Sequence, residues 1–129
     1  MRRCYFDASA AAKLLVQEAE SADVMRWADD EDLEAVSSLL METELRRMAE
    51  RRGLTQESVS AVLRKFALFE IPPWEYRAAG LIPGDDLRTL DALHVASAIR
   101  VEADVLVTYD ARMRDAAAAM GLAVVQPGR

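Results

Sequence analysis

Short apolar runs alternate with stretches of helical periodicity along the whole chain. Residues 2 to 6 (Arg2-Arg3-Cys4-Tyr5-Phe6) predict a first strand, and the alanine- and leucine-rich stretch 8 to 19 predicts a helix entered at Asp7. A second helix is expected over 22 to 28, ending in the acidic cluster Asp29-Asp30-Glu31-Asp32, which suits a solvated loop. Residues 33 to 36 form a weak second strand pattern. Ser37 or Ser38 can then cap a helix from about Leu39 to Arg52, stopped by Gly53. Thr55 opens a further helix to about Phe66. Residues 68 to 71 suit a third strand, closed by Pro72-Pro73, which cannot extend a central ladder.

The second half repeats the pattern. A short helix over 74 to 79 precedes a loop, 80 to 86, whose Pro83-Gly84 pair marks a turn. Residues 87 to 102 form the most apolar helix, 104 to 108 a fourth strand, 111 to 120 a helix stopped by Gly121, and 122 to 125 a fifth strand before Pro127. Strands separated by helices predict right-handed βαβ units. The expected class is therefore α/β in three layers, with a central, mostly parallel sheet of about five short strands and helices on both faces.

At 129 residues the chain fits one domain, spanning 1–129, and its 52% apolar and 29% charged composition is that of ordinary globular proteins. No apolar run approaches the roughly 18 to 20 residues needed to cross a bilayer. The apolar stretch after Met1-Arg2-Arg3 ends at Asp7, too short for a secretory signal, so cytoplasmic residence is the expectation. The single cysteine, Cys4, has no partner for an internal disulfide and suits a buried strand position. A net charge of −6 repels nucleic acid at long range, so any affinity for phosphate must come from local basic groups or a bound metal. Arg46, Arg47, Arg51 and Arg52 on one helix, and Arg112 and Arg114 after Asp110, are such groups; a solvated helix surface explains them equally well.

Four acids carry the candidate chemistry: Asp7, Glu44, Asp91 and Asp110. Asp7 and Asp110 directly follow strand patterns, and open parallel sheets bind ligands at the carboxyl ends of their strands. Each has an ordinary alternative, since Asp7 and Asp110 can be N-caps and Asp91 can complement a helix dipole. Glu44 shares its helical stripe with Met41, Leu45 and Met48, so it should point inward, whereas Glu42 should pair with Arg46. No lysine or arginine shares that stripe, which favours a shared cation. Asp91 lies on a helix that is apolar nearly all round, with His94 three residues on. That histidine reads first as a satisfied core residue. If the four carboxylates meet, their repulsion is relieved by a hard divalent cation such as Mg²⁺ or Mn²⁺, which can activate water and stabilise charge on a phosphoryl oxygen. No zinc-spaced set, Walker loop or nucleophile elbow is present.

Four strings in order, Tyr5-Phe6-Asp7-Ala8-Ser9-Ala10 with Lys13, Ser38 through Glu44-Leu45-Arg46, Leu87 through Ala96, and Val107-Thr108-Tyr109-Asp110-Ala111-Arg112-Met113, make the chain resemble the PIN-domain ribonucleases. Within them it is similar to the VapC-type toxins of bacterial toxin–antitoxin pairs. The resemblance implies a metal-dependent endoribonuclease that leaves 5′-phosphate and 3′-hydroxyl ends. Asp7 and Asp91 would be the most direct ligands of Mg²⁺ or Mn²⁺, with Glu44 and Asp110 completing the cluster and Ser9 and Thr108 lining the pocket. It further implies a small VapB-type antitoxin as partner and a homodimer. On this view Arg46, Arg47, Arg51, Arg112 and Arg114 flank the groove and hold RNA phosphates. Two rival classes remain: a non-catalytic binding module on the same scaffold, and a phospho-acceptor receiver domain. The latter needs an acidic doublet after the first strand, where Asp7 stands alone, and a lysine after the last, whereas the only lysines are Lys13 and Lys65.

Overall fold

A computed structural model describes residues 1–129 of the chain. The elements run β1 (Arg2–Phe6), α1 (Ala8–Leu15), α2 (Ser21–Ala28), β2 (Leu33–Ser38), α3 (Leu40–Arg52), α4 (Gln56–Leu63), β3 (Ala67–Phe69), α5 (Pro73–Gly80), α6 (Thr89–Arg100), β4 (Val105–Val107), α7 (Ala111–Ala119) and β5 (Ala123–Val125). The five strands form one sheet in the order β3-β2-β1-β4-β5, and every neighbouring pair is parallel. The α/β expectation holds, with a sheet that is wholly rather than mostly parallel.

Side-chain alternation on β1 divides the core between the two faces. Cys4 and Phe6 pack with residues of α1 to α4, among them Ala10, Val24, Leu45 and Val59. Tyr5 points the other way, into a cluster with Val95, Ala98, Leu106 and Met113 from α6, β4 and α7. Strand β1 is central and fully buried at Cys4, Tyr5 and Phe6. From it the chain moves first to β2 on one side and later to β4 on the other, so the connections leaving β1 and β4 diverge. That divergence opens a crevice at the carboxyl ends of these two strands, where Asp7 and Asp110 sit.

Several boundaries differ from the expected ones for local reasons. Helix α1 stops at Leu15 instead of residue 19, because the Ser21 hydroxyl accepts from the Glu18 N–H (2.8 Å) and donates to the Val16 carbonyl (3.2 Å), replacing helical bonds. Strand β2 continues to Ser38, since Ser37 is buried and its hydroxyl donates to the Phe6 carbonyl at 2.6 Å. Leu39 is the α3 N-cap, and Ser38 Oγ only accepts from the Leu40 N–H at 3.3 Å. Helix α4 ends at Leu63, and Leu87 closes a turn on the Gly84 carbonyl before α6 begins at Thr89.

One buried pair had no signal in the periodicity. Glu75 on α5 is completely buried; it accepts from the Ser97 hydroxyl at 2.5 Å and pairs with Arg100, whose guanidinium also donates to the Glu70 carbonyl. This network ties α5 to α6, the helix that carries Asp91 and His94.

Candidate active site

Asp7 lies in the first non-helical position after β1, buried to 1% exposure. Its Oδ1 accepts from the Ala10 N–H at 3.0 Å, so the expected capping role is real. The same carboxylate also receives two hydroxyls: Ser9 donates at 2.7 Å to Oδ1, and Thr108 donates at 2.6 Å to Oδ2. Both hydroxyls are aimed by consecutive backbone amides. Tyr109 N–H donates to Ser9 Oγ (3.0 Å) and Asp110 N–H to Thr108 Oγ1 (3.1 Å), so the single proton of each hydroxyl is directed to the carboxylate. Burial pushes the Asp7 carboxyl above its usual range, and the charge of His94 together with the Thr108, Ser9 and Ala10 hydrogen bonds offsets this only in part.

Asp91 sits in the first turn of α6, the helix packed on the opposite face of the sheet. Its Oδ2 is buried and has no hydrogen-bond partner. Burial raises its pKa, the negative charges of Asp110 and Glu44 raise it further, and the Arg88 backbone and His94 counteract them incompletely. The charges of Asp110, Glu44 and His94 thus all act on Asp91.

Glu44 has a partner that its helix stripe did not reveal. His94, 1% exposed, donates from Nε2 to Glu44 Oε1 at 2.5 Å, while Nδ1 meets the Tyr5 hydroxyl at 2.8 Å. Burial would push the imidazole down, but Tyr5, Glu44 and Asp7 outweigh it and hold the pKa at about 10. His94 is thus a charged link between the sheet and α3. The sequence favoured a shared cation beside Glu44; the structure places an imidazole from α6 against it. Asp110, half-buried, accepts at Oδ1 from the N–H groups of Arg112 and Met113, capping α7.

Asp7, Ser9, Thr108 and Asp110 lie at the ends of β1 and β4 and the starts of the helices that follow, Asp91 lies in the first turn of α6, and Glu44 lies within α3. The arginines divide. Arg46 is corrected: its guanidinium is taken by Glu42 (2.9 Å), Gln56 Oε1 (3.1 Å) and Ser60 (3.2 Å), and it braces α3 against α4. The reading that no arginine shares the Glu44 stripe is corrected: Arg47 and Arg51 fall three and seven residues after Glu44 along it, and both are exposed. Arg112 is exposed beside Asp110, but the cleft it lines also holds Asp85, Asp86 and Asp115; Arg114 pairs with Asp115 at 3.2 Å. Arg88, one turn before Asp91, is exposed at a cleft of about 290 Å³ with Tyr76 and Thr89; its place beside Asp91 was the available signal for it.

The donor set is all-oxygen, as Mg²⁺ or Mn²⁺ prefers, and the unpaired Asp91 oxygen among like charges fits such an ion. As the side chains stand, no three His, Cys, Asp or Glu groups converge on one ion position. The four-carboxylate cage is thus not preassembled. Helix capping, the two hydroxyls and His94 already hold Asp7, Asp110 and Glu44, leaving Asp91 as the free member.

A PIN-domain family model matches residues 4–119. The chain belongs to the PIN-domain family. Its relatives include Ribonuclease VapC35 of Mycobacterium tuberculosis (strain CDC 1551 / Oshkosh), 38% identical over 97% of each chain. Ribonuclease VapC46 of M. tuberculosis (strain H37Rv) is 34% identical over 98% of this chain and 99% of its own. Among solved folds, M. tuberculosis VapC20, described as a sarcin–ricin loop cleaving toxin, superposes with a TM-score of 0.75 at 18% identity, covering 96% of this chain and 99% of that one. PAE2754 of Pyrobaculum aerophilum superposes at 0.64 with 21% identity, covering 96% and 84%. This PIN domain is of the VapC type.

Two consequences follow for the protein free of divalent ions. The carboxyl at Asp7 ionises above its unfolded value, so stability is lost as pH rises from about 3.9 through that raised folded value. Asp7→Asn keeps a side-chain oxygen for the Ala10 cap and removes the buried charge; its melting temperature should exceed that of the native chain by a few degrees at pH 7, and calorimetry showing a lower one would refute the assignment. His94 has the opposite sign. Its contribution is complete below 6.5 and is lost as pH rises through about 10. Urea midpoints should fall from pH 6.5 to 9.5 in the native chain and stay flatter in His94→Gln.

Proposed function

We propose that this PIN domain is an endoribonuclease that hydrolyses RNA phosphodiester bonds with Mg²⁺ or Mn²⁺, acting as the toxin of a pair with a small VapB-type antitoxin. The observation that carries the reading is the unpaired, buried Asp91 oxygen, set among Asp110 and Glu44 at the crevice where the sheet's connections diverge. Membership in the VapC type supports RNA as substrate and an antitoxin as partner. No helix is long and apolar enough to cross a membrane.

Asp91 and Asp7 would hold the ion, and Glu44 and Asp110 would join directly or through water. When bound, such an ion supplies Lewis acidity toward a phosphoryl oxygen and activates water. The chain's own residues do the rest. Ser9 and Thr108 hold the Asp7 carboxylate in one orientation, and His94 holds Glu44 in place. Arg47 and Arg51, with Arg112 and Arg114 on the far rim, would bind backbone phosphates, which position the strand without reading its bases. In-line attack of water on phosphorus, with the bond to the 3′-oxygen breaking and that oxygen taking up a proton, would leave 5′-phosphate and 3′-hydroxyl ends. A homodimer suits the side chains left exposed from α5 into α6, with Trp74 at 61% and Leu81 at 75%.

A non-catalytic binding module is favoured by one observation, the engagement of three of the four acids in caps and pairs. Cleavage of bulk RNA with Mg²⁺ or Mn²⁺ separates the two. Asp7→Asn and Asp91→Asn should each lower the rate by at least about 100-fold, and equal cleavage by all three proteins would remove these residues from the chemistry. Replacing Arg47, Arg51, Arg112 and Arg114 together by alanine should weaken RNA binding and flatten its dependence on salt. An unchanged slope would take the arginines off the RNA path.

A further inference from the structure

Tyr109 joins the acid pocket to the last residues of the chain. Inside, its backbone N–H is the group that aims the Ser9 hydroxyl at Asp7, at 3.0 Å from Ser9 Oγ. Outside, its ring is held on three sides. The Lys13 ammonium lies 4.6 Å from the ring centroid, the Arg129 guanidinium carbon lies 5.1 Å from it, and the phenol donates to the Pro127 carbonyl at 2.5 Å.

The cations are themselves anchored. Lys13 is 7% exposed and bonded to Glu20 at 2.6 Å and Glu18 at 3.3 Å; Arg129 lies 3.6 Å from the same Glu20. Glu20 therefore bridges two like charges that would otherwise repel across the ring. Gly128 permits the close approach: its φ is +88°, and a Cβ there would stand 2.7 Å from Asp23 Oδ2. A buried lysine, a terminal arginine and a shared carboxylate around one tyrosine are more than packing at a half-buried position requires.

We propose that Tyr109 is a positioning residue of the nuclease: the Lys13–Tyr109–Arg129 stack clamps the backbone at 109, and through Ser9 it fixes the orientation of the Asp7 carboxylate. The catalytic part rests on the ribonuclease reading; the clamp itself does not. If the backbone at 109 drifts, Ser9 loses the donor that saturates its lone pair, and its proton becomes free to turn from Asp7 toward Thr108 Oγ1, 3.3 Å away.

The test uses the full chain with Tyr109→Ala, Tyr109→Phe and Lys13→Met. Turnover and KM are measured on a short RNA at saturating Mn²⁺, and amide hydrogen exchange is measured without metal. Tyr109→Ala and Lys13→Met should lower kcat about 10-fold while KM stays within about 2-fold, as for groups that orient a metal ligand. In both, the amide at 109 should exchange faster while those of Leu106 and Val107 in β4 keep native protection. Tyr109→Phe keeps the ring between its cations and should retain kcat within about 2-fold. Native kcat and native exchange in Tyr109→Ala and Lys13→Met would overturn the proposal. So would loss of protection throughout β4 in step with a lower melting temperature, which marks a merely structural role, or a Tyr109→Phe defect as large as that of Tyr109→Ala. If the native chain cleaves no RNA, the ribonuclease reading fails, and the exchange data alone decide the clamp.

Discussion

Burial of negative charge at the carboxyl end of the central strands is the constraint around which this PIN domain is arranged. A carboxylate withdrawn from water is costly unless hydrogen bonds or opposite charge replace its hydration. Asp7 receives one amide and two hydroxyls, and burial still holds its pKa high. Asp91 receives less, with one oxygen left without a partner. The site is thus under-compensated by the protein's own groups, a condition more typical of functional centres than of structural ion pairs.

The fold supplies this crowding through topology rather than through any local motif. Because β1 and β4 are adjacent and parallel, residues far apart in sequence meet at their ends: Asp7 accepts from Thr108, and Ser9 accepts from Tyr109. Tyr5, on the other side of β1, reaches His94 on α6, and His94 reaches Glu44 on α3. Strand β1 therefore places an acid directly after its last residue and holds the imidazole of His94 through its penultimate residue, Tyr5. The Glu75–Arg100–Ser97 network, remote from the acids, keeps α6 seated so that these contacts share one register.

Much of the architecture was legible because it is periodic. Apolar runs at β1 and β4, the stripe of α3 and the apolar α6 all declare burial, and burial is what decides secondary structure over propensity. The inward direction of Glu44 followed from the same logic. Its partner did not, since His94 is fifty residues away and only the pairing of α6 with β1 brings it across. Arg46 shows the converse. Its helix pair with Glu42 was visible at i, i+4, but the two further partners that occupy it are Gln56 and Ser60 on α4, whose packing angle no local pattern encodes. Helix α1 ended early for a similarly non-periodic reason, a single serine hydroxyl that competes for the backbone. Periodicity reports which face is buried; it does not report what waits on the other side.

The charge balance of the crevice bears on how an acidic protein handles RNA. Four carboxylates stand against one imidazolium, so full ionisation leaves three formal negative charges where a phosphodiester, itself an anion, must be accommodated. The raised pKa values of Asp7 and Asp91 lessen that field only by retaining protons. A divalent ion held there as proposed would remove two charges at the centre, and the exposed Arg47 and Arg51 on the Glu44 stripe would then favour approach from their side. RNA would then be drawn to the loaded site and repelled by the empty one and by most of the remaining surface. On the proposed metal-dependent reading, metal occupancy and substrate entry would be one coupled event, because the same missing positive charge would govern both.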